Sequence, residues 1–212
     1  YATAPAGRWK RQQSDPVIAK WFGAKGDGVT DDHAALQAWA NYTSASGKTF
    51  YPQAGIYGLS TTLAISNMLG MRFHGDGITN TTFKPLANIS GPLIKLFNVQ
   101  GVDLSDFRID TTGFTVTQGI LVDTDLNPPS SIGKIQRISL IAPQANVGLQ
   151  FAQSLVDNKQ VDFWLMENCL FSQAKTNVLI QSSNALEHNF LNCLFTGFDI
   201  YNPDYHLYID NG

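Results

Sequence analysis

Short β-branched and aromatic segments, each closed by glycine, proline, asparagine or serine, follow one another from residue 48 onward. Such segments are typical of short strands separated by turns. Before them, Leu36, Trp39, Ala40 and Thr43 recur at helical spacing. The pattern therefore predicts one amphipathic helix from about Asp32 to Ala45, followed by strands. The first predicted strands cover residues 49–51, 55–57, 63–65, 71–73 and 82–84.

Two series of similar strand segments recur in the second half of the chain. The first series repeats at one constant spacing, and the second has two equal steps followed by a shorter one. Several short strands within a period of about 20 to 30 residues are typical of a solenoid in which each coil stacks on the one before. The segments begin at Gly119, Gly148, Asn177 and His206 in the first series, and at Asp106, Arg137, Asn168 and Asn192 in the second.

The predicted fold is an all-β solenoid, a right-handed parallel β-helix with an N-terminal capping α-helix. The helix would cover the open edge of the first coil. A β-sandwich is the alternative, but its hairpins would not produce the three equal steps of the first series. We expect residues 1–20 to be a lead-in or neck and residues 21–212 to form the β-helix. Because the coil pattern still runs at Gly212, we expect a longer β-helix, or another subunit or domain, to follow it.

Composition excludes several classes of function. The 212 residues are 43% hydrophobic, with 14 Lys and Arg against 17 Asp and Glu. This balance provides no cationic surface for nucleic acid, and no apolar run approaches the roughly 20 residues of a membrane helix. Cys169 and Cys193 lie outside any Cys/His cluster, and we expect both to be free thiols. The glycine-rich segments lack the dinucleotide and phosphate-loop spacings, so we expect neither a cofactor nor a metal.

Two segments near the start of the chain resemble a known family. Residues 22–37, FGAKGDGVTDDHAALQ, are similar to the opening motif of the pectate-lyase-like β-helix superfamily, and residues 47–57, GKTFYPQAGIY, resemble its first coil. The string RWKR at residues 8–11 and the later Asn-Cys-Leu-Phe coils are more particularly similar to bacteriophage tailspikes, which bind and degrade host capsule or lipopolysaccharide.

This resemblance implies a bacterial surface polysaccharide as substrate, cut by hydrolysis or by β-elimination. It further implies a homotrimer in the virion tail, attached to other tail or baseplate proteins through the N-terminal segment. A secreted bacterial or fungal polysaccharide lyase or hydrolase of the same fold is one alternative. A tail protein that binds glycan without cutting it is another. The family has no fixed catalytic motif, so the resemblance assigns no catalytic residue by position.

Candidate catalytic residues come instead from the coil alignment. Hydrolysis needs two carboxyl groups, about 5 to 5.5 Å apart for retention or about 6.5 to 9.5 Å for inversion. Aligning Cys169 with Cys193 brings Glu187 within about one coil spacing of Asp162. Strand alternation puts Trp164 on the same face as Asp162, predicted to point outward, where an indole could stack on a sugar. The predicted catalytic residues are Asp162, Glu167 and Glu187, and the predicted substrate-binding residues are Trp164, His188, Tyr201 and Tyr205.

The alternative interpretation of these residues is a solvated strand face without catalysis. Other acidic residues favour structural roles. Asp27, Asp31 and Asp32 lie where a turn and a helix start are expected, and we interpret them as turn and capping residues. Asp106 would stack beside Arg137 of the next coil, which predicts a surface ion pair.

Overall fold

The computed structural model describes residues 16–46, 49–125, 130–151, 161–181, 187–197 and 205–210. In these residues the chain winds into a parallel β-solenoid of about five turns with one α-helix. Each turn contributes successive strands to three sheets, here named A, B and C, and every strand pairs in parallel with the equivalent strand of the neighbouring coil. The predicted parallel β-helix is confirmed.

Within the described residues, sheets A, B and C contain seven, seven and six strands. Sheet A consists of β1 (Val17–Ile18), β3 (Phe50–Tyr51), β6 (Arg72–His74), β9 (Asp103–Ser105), β12 (Gly133–Gln136), β15 (Trp164–Glu167) and β18 (Asn189–Leu191). Sheet B consists of β2 (Asp27–Asp31), β4 (Gly55–Leu59), β7 (Thr81–Pro85), β10 (Arg108–Asp110), β13 (Ser139–Ile141), β16 (Leu170–Ser172) and β19 (Leu194–Thr196). Sheet C consists of β5 (Leu63–Leu69), β8 (Ile94–Gln100), β11 (Val116–Asp123), β14 (Ala145–Phe151), β17 (Thr176–Gln181) and β20 (Tyr205–Asp210).

Both predicted repeats coincide with the pairing register. In sheet C, Ile120 pairs with Leu149, Leu149 with Val178 and Val178 with Leu207, so the three steps are equal as predicted. Sheet B follows the other series, through the pairs Arg108 with Ser139, Ser139 with Leu170 and Leu170 with Leu194. The first residues of that series adopt a left-handed conformation that turns the chain from sheet A to sheet B. These residues are Asp106, Arg137, Asn168 and Asn192, with φ between 49° and 62°.

Large apolar side chains fill the inside of the coils. Phe73 lies 5.6 Å from Phe83 and 5.0 Å from Phe107, measured between ring centroids. Trp39 of the helix packs edge-on against Phe50 at 4.9 Å. All of these rings are buried, so the helix shares one core with the first coils.

The helix α1 (His33–Ser46) begins one residue later than predicted. Asp31 accepts a hydrogen bond from the N–H of His33, as expected of a capping carboxylate. Asp32 is buried and accepts hydrogen bonds from the N–H groups of Lys25 and Gly26. It therefore fixes the preceding turn, while its carbonyl accepts the N–H of Leu36 in the first helical turn.

Strand β5 is the first strand of sheet C, and α1 lies against it. The side-chain amide of Gln37 donates to the carbonyl of Ala64 at 2.8 Å and accepts from the N–H of Ala64 at 3.0 Å. These are the two bonds that another strand would make at this edge. The geometry therefore fits the predicted capping role.

Strand β1 pairs with β3, so the described part of sheet A includes Val17 and Ile18. Residues 1–15, including the basic string, lie outside the described residues. No described helix has the length and apolarity needed to cross a membrane.

Candidate functional site

The outward side of sheet A presents a regular array of polar side chains. Along β6, β9, β12 and β15 the buried positions are Phe73, Leu104, Ile135 and Met166, so their neighbours point away from the core. We call the outward residues the outer face of sheet A. Each strand contributes two outward residues, and the pairs lie in register from coil to coil. They are Arg72 and His74 on β6, Asp103 and Ser105 on β9, Lys134 and Gln136 on β12, and Leu165 and Glu167 on β15.

Arg137, in the turn after β12, joins this face to the preceding coil. Its Nε and Nη2 donate to the two carboxylate oxygens of Asp106, at 2.6 and 2.7 Å, and Nη1 donates to Gln136 Oε1 at 2.8 Å. The Nδ1 atom of His74 lies 3.1 Å from the same carboxylate. Hydrogen bonds from Arg137 hold the pKa of Asp106 below its ordinary value. The predicted ion pair is therefore confirmed.

The amide of Gln136 continues the network by donating to Asp103 at 3.0 Å. Beside it is a groove of about 320 Å³, and Arg72 at its edge is exposed. Among the described residues, Arg72 makes no side-chain ion pair. The groove thus combines the exposed guanidinium of Arg72 with hydrogen-bond donors and acceptors whose positions are fixed by the sheet. Its lining residues are Thr49, Arg72, His74, Asp103, Ser105, Gln136 and Arg137.

A second groove of about 580 Å³ follows the turns between sheets A and B. It shares Arg137 with the first groove and includes the loop of residues 76–80. The left-handed Asn168 and Asn192 lie along it in consecutive coils. The two grooves therefore meet at Arg137.

The structure disperses the predicted catalytic carboxylates. Glu167 lies on the outer face, 2.8 Å from the ammonium of Lys134. Glu187 is exposed in the turn before β18, at φ 54°. Asp162 is only 6% exposed. The described residues therefore do not bring these three groups into a single open groove.

Trp164 is a correction to the predicted orientation. Its side chain is fully buried, and its indole N–H donates to the carbonyl of Ser130 at 3.1 Å. Phe163 takes a left-handed φ of 57° and is 47% exposed, whereas Asp162 and Met166 are buried like Trp164, so the segment alternates in the opposite phase to the predicted one. Gly133 of the neighbouring coil makes room, because a Cβ there would lie 2.4 Å from the indole ring. The indole therefore cannot stack on a sugar at the surface, and Phe163 is exposed instead.

His188 also packs inward in the structure. Its ring lies 4.7 Å from that of Phe151, and both ring nitrogens are buried. Burial lowers the pKa of His188 to about 4, so the imidazole is neutral at physiological pH. A substrate on the surface would not reach these nitrogens. Two tyrosines were also predicted to bind substrate. Tyr201 lies outside the described residues, and of Tyr205 only the backbone, at the start of β20, is described.

Sequence reasoning missed Arg72, His74 and Asp103 as members of one surface. The signal was available, because Arg72, Asp103 and Lys134 are evenly spaced along the chain, and His74, Ser105 and Gln136 have the same spacing. Among the described residues, no group of three or more His, Cys, Asp or Glu side chains is arranged to hold a metal ion.

The family described as rhamnogalacturonase A/epimerase, pectate lyase-like, matches residues 17–200. The chain belongs to this family. The sequence analysis predicted that this chain resembles phage tailspikes. In agreement, the chain is similar to depolymerase 1 of Klebsiella phage K5-2, which is described as specific for capsule K30/K69. The two are 35% identical over 107 residues, which is 48% of this chain and 13% of the phage protein.

Two further proteins extend the comparison. A glucan 1,3-beta-glucosidase of Cochliobolus carbonum is 29% identical over 143 residues, 65% of this chain and 18% of the fungal protein. The structure of ORF18 of Geobacillus virus E2 matches with a TM-score of 0.64 at 23% identity, covering 92% of this chain and 46% of that one. The last likeness shows the shared fold alone. The chain spans less than a fifth of either curated relative.

Proposed function

We propose that this chain is part of a phage tailspike that binds a bacterial surface polysaccharide, capsule or lipopolysaccharide O-chain, and depolymerises it. The observation that carries the proposal is the 35% identity to a capsule depolymerase of a Klebsiella phage. The family membership and the parallel β-solenoid agree with it. Polymer binding, cleavage and location in the virion tail are all parts of this proposal.

The outer face of sheet A is the proposed binding surface. A polysaccharide repeats its hydroxyl groups along its length, and the solenoid repeats side chains about every 4.8 Å along its axis. The face offers amide, carboxylate and guanidinium groups, and the network around Arg137 holds several of them in place. Pre-organised polar groups lose little freedom when a ligand binds, which favours affinity.

For cleavage, we propose Glu167 as the leading catalytic candidate among the predicted carboxylates. It lies on the outer face, 2.8 Å from the ammonium of Lys134, where a polymer bound to that face would reach its carboxylate. Glu187 is exposed one coil further on and is the second candidate. Asp162 stays a weaker candidate, because its side chain is buried and would have to become accessible.

The likeness to phage tailspikes is also the basis for proposing a homotrimer. A trimer would bury one long side of each solenoid, and the N-terminal segment would attach to other tail or baseplate proteins. The fungal glucosidase relative favours one alternative, a secreted polysaccharide hydrolase of the same fold. A molar mass of three times 23.2 kDa supports the trimer. A monomer with full depolymerase activity favours the secreted enzyme.

Cleavage is tested by incubating the chain with purified capsular polysaccharides and lipopolysaccharides. Polymer size is followed by gel filtration, and new double bonds by ultraviolet absorbance. Shortening of one polymer is expected, with absorbance separating elimination from hydrolysis. Glu167→Gln should then reduce the rate by about 100-fold or more, since a positioned acid or base contributes that much. Asp110→Asn, on a strand of sheet B, is the matched control.

A polymer retained but never shortened would contradict the catalytic part of the proposal and favour a binding protein. If Glu167→Gln, Glu187→Gln and Asp162→Asn all cleave at the parent rate, the site assignment is wrong although the chain is an enzyme.

A further inference from the structure

The turns that lead into sheet A have one residue at the same position in each of five successive coils. In each coil this residue lies two positions before one of the residues paired in register, which are Arg72, Asp103, Lys134, Leu165 and Asn189. All five turn residues adopt a left-handed conformation. Glycine takes this conformation freely, whereas for a β-branched or bulky residue it is an outlier. The five residues, with φ in parentheses, are Gly70 (67°), Gly101 (66°), Ile132 (57°), Phe163 (57°) and Glu187 (54°).

The two large apolar members are both exposed to solvent. Ile132 is 60% exposed and Phe163 is 47% exposed, whereas the neighbouring Trp164 is fully buried. Glycine fulfils the backbone requirement at the same position in two earlier coils. Non-glycine residues held in the left-handed region cluster at active sites and ligand sites.

The surroundings of these two side chains are polar. Glu187 occupies the next coil at the same position, and the pair formed by Lys134 and Glu167 lies further along the adjacent strands. Two exposed side chains bordered by charges form an apolar patch far smaller than the roughly 1,200 Å² of a stable protein interface. A sugar ring has the matching character, with an apolar face of C–H groups and a rim of hydroxyls.

We infer that Phe163 is a sugar-stacking platform, on which the C–H face of one pyranose unit of the bound polysaccharide lies. Ile132 extends the apolar contact, and the carboxylate of Glu187 accepts a hydrogen bond from a ring hydroxyl. The inference rests on the proposed polysaccharide function and assigns a specific subsite to it. It places the sugar one residue away from the position predicted for Trp164.

The test compares Phe163→Gly, Phe163→Trp and the parent by affinity electrophoresis in gels containing purified capsular polysaccharides or lipopolysaccharides. For the polymer that retains the parent, Phe163→Gly should weaken retention by about tenfold, while Phe163→Trp preserves it. The melting temperature of Phe163→Gly should not fall, because glycine relieves the backbone. Leu194→Ala, which removes another exposed apolar side chain, from sheet B, is the control and should bind as the parent does.

Retention of Phe163→Gly equal to that of the parent would overturn the platform and leave the polysaccharide function intact. A clearly lower melting temperature for Phe163→Gly would assign Phe163 a structural role and also overturn it. A parent that no polymer retains would contradict the proposed function itself, and the platform with it.

Discussion

Arg137 forms two hydrogen bonds with Asp106 of the preceding coil, at 2.6 and 2.7 Å across the step from one coil to the next. The guanidinium matches the carboxylate in a two-pronged geometry that lysine cannot reproduce. Since Arg137 also binds Gln136, and Gln136 binds Asp103, one side chain orders much of the outer face of sheet A.

Replacing Arg137 with alanine should change the pH dependence of stability. In the parent the pKa of Asp106 is lowered from 3.8, so its stabilising effect is complete above that value and is lost as pH falls through the lowered pKa. Arg137→Ala should raise this pKa and flatten the stability profile in acid. The loss at pH 7 should be about 1 kcal/mol or less, because the arginine is half exposed. Urea unfolding between pH 2.5 and 7 measures both effects.

Arg72→Ala is the control for Arg137→Ala, since Arg72 makes no side-chain ion pair within the described residues. An Arg137→Ala profile that parallels the parent throughout acid pH would contradict the assigned role of the pair.

Asp27 should titrate at unusually low pH. Backbone N–H groups of Thr30 and Val29 and the hydroxyl of Thr30 all donate to its carboxylate, which lowers its pKa to about 2. Its stabilising effect is thus present above pH 3.8 and is lost as pH falls toward 2. Carboxyl carbon NMR chemical shifts would give the value directly. Thr30→Ala should raise the pKa, and an unchanged value would show that the hydroxyl contributes nothing.

The amide of Gln37 should stabilise the first strand of sheet C. Gln37→Ala leaves the N–H and C=O of Ala64 without their side-chain partners, so we expect the free energy of unfolding to fall by about 1 to 3 kcal/mol. Asn41→Ala is the matched control, because Asn41 accepts from the same amide but leaves the two bonds between Gln37 and Ala64 in place. The free energy of unfolding is measured by urea denaturation. An equal fall in the two variants would show that the bonds to Ala64 do not stabilise the strand edge.

Gly133 should tolerate no side chain while Trp164 is present. A Cβ at residue 133 would lie 2.4 Å from the indole ring, so Gly133→Ala should cost about 1 to 3 kcal/mol by overpacking. The double variant Gly133→Ala with Trp164→Phe should recover part of that loss, because the smaller ring leaves room. Thermal unfolding of the four proteins gives the coupling energy. Strictly additive losses would mean that the two residues do not compete for space.

The repeat spacing was sufficient to predict the fold and its register. The equal steps of the first series, and the shortened last step of the second, are the steps between paired residues in sheets C and B. Parallel coils bring like positions together, so a repeat in the chain becomes a ladder in space. The pairing of Asp106 with Arg137 followed from this alone.

The orientation of individual side chains near turns was not predictable in the same way. Residues 162–167 do alternate, with Asp162, Trp164 and Met166 buried and Phe163 exposed, but in the opposite phase to the predicted one. Both sets of alternating positions contain large apolar side chains, so the sequence does not decide which set points inward. Trp164 consequently points inward, where the sequence pattern indicated an outward position. Only Gly133, its partner in the preceding coil, hinted at this, because an inward indole needs a small neighbour there.

The most direct test of the account is binding of polysaccharide to the outer face of sheet A. The parent, the double variant Arg72→Ala with Gln136→Ala, and the sheet B control Lys84→Ala would be compared by affinity electrophoresis on the same panel of polymers. We predict that at least one polymer retains the parent and Lys84→Ala, and that the outer-face variant binds it about tenfold more weakly. Retention of no polymer, or equal binding by all three proteins, would contradict the account.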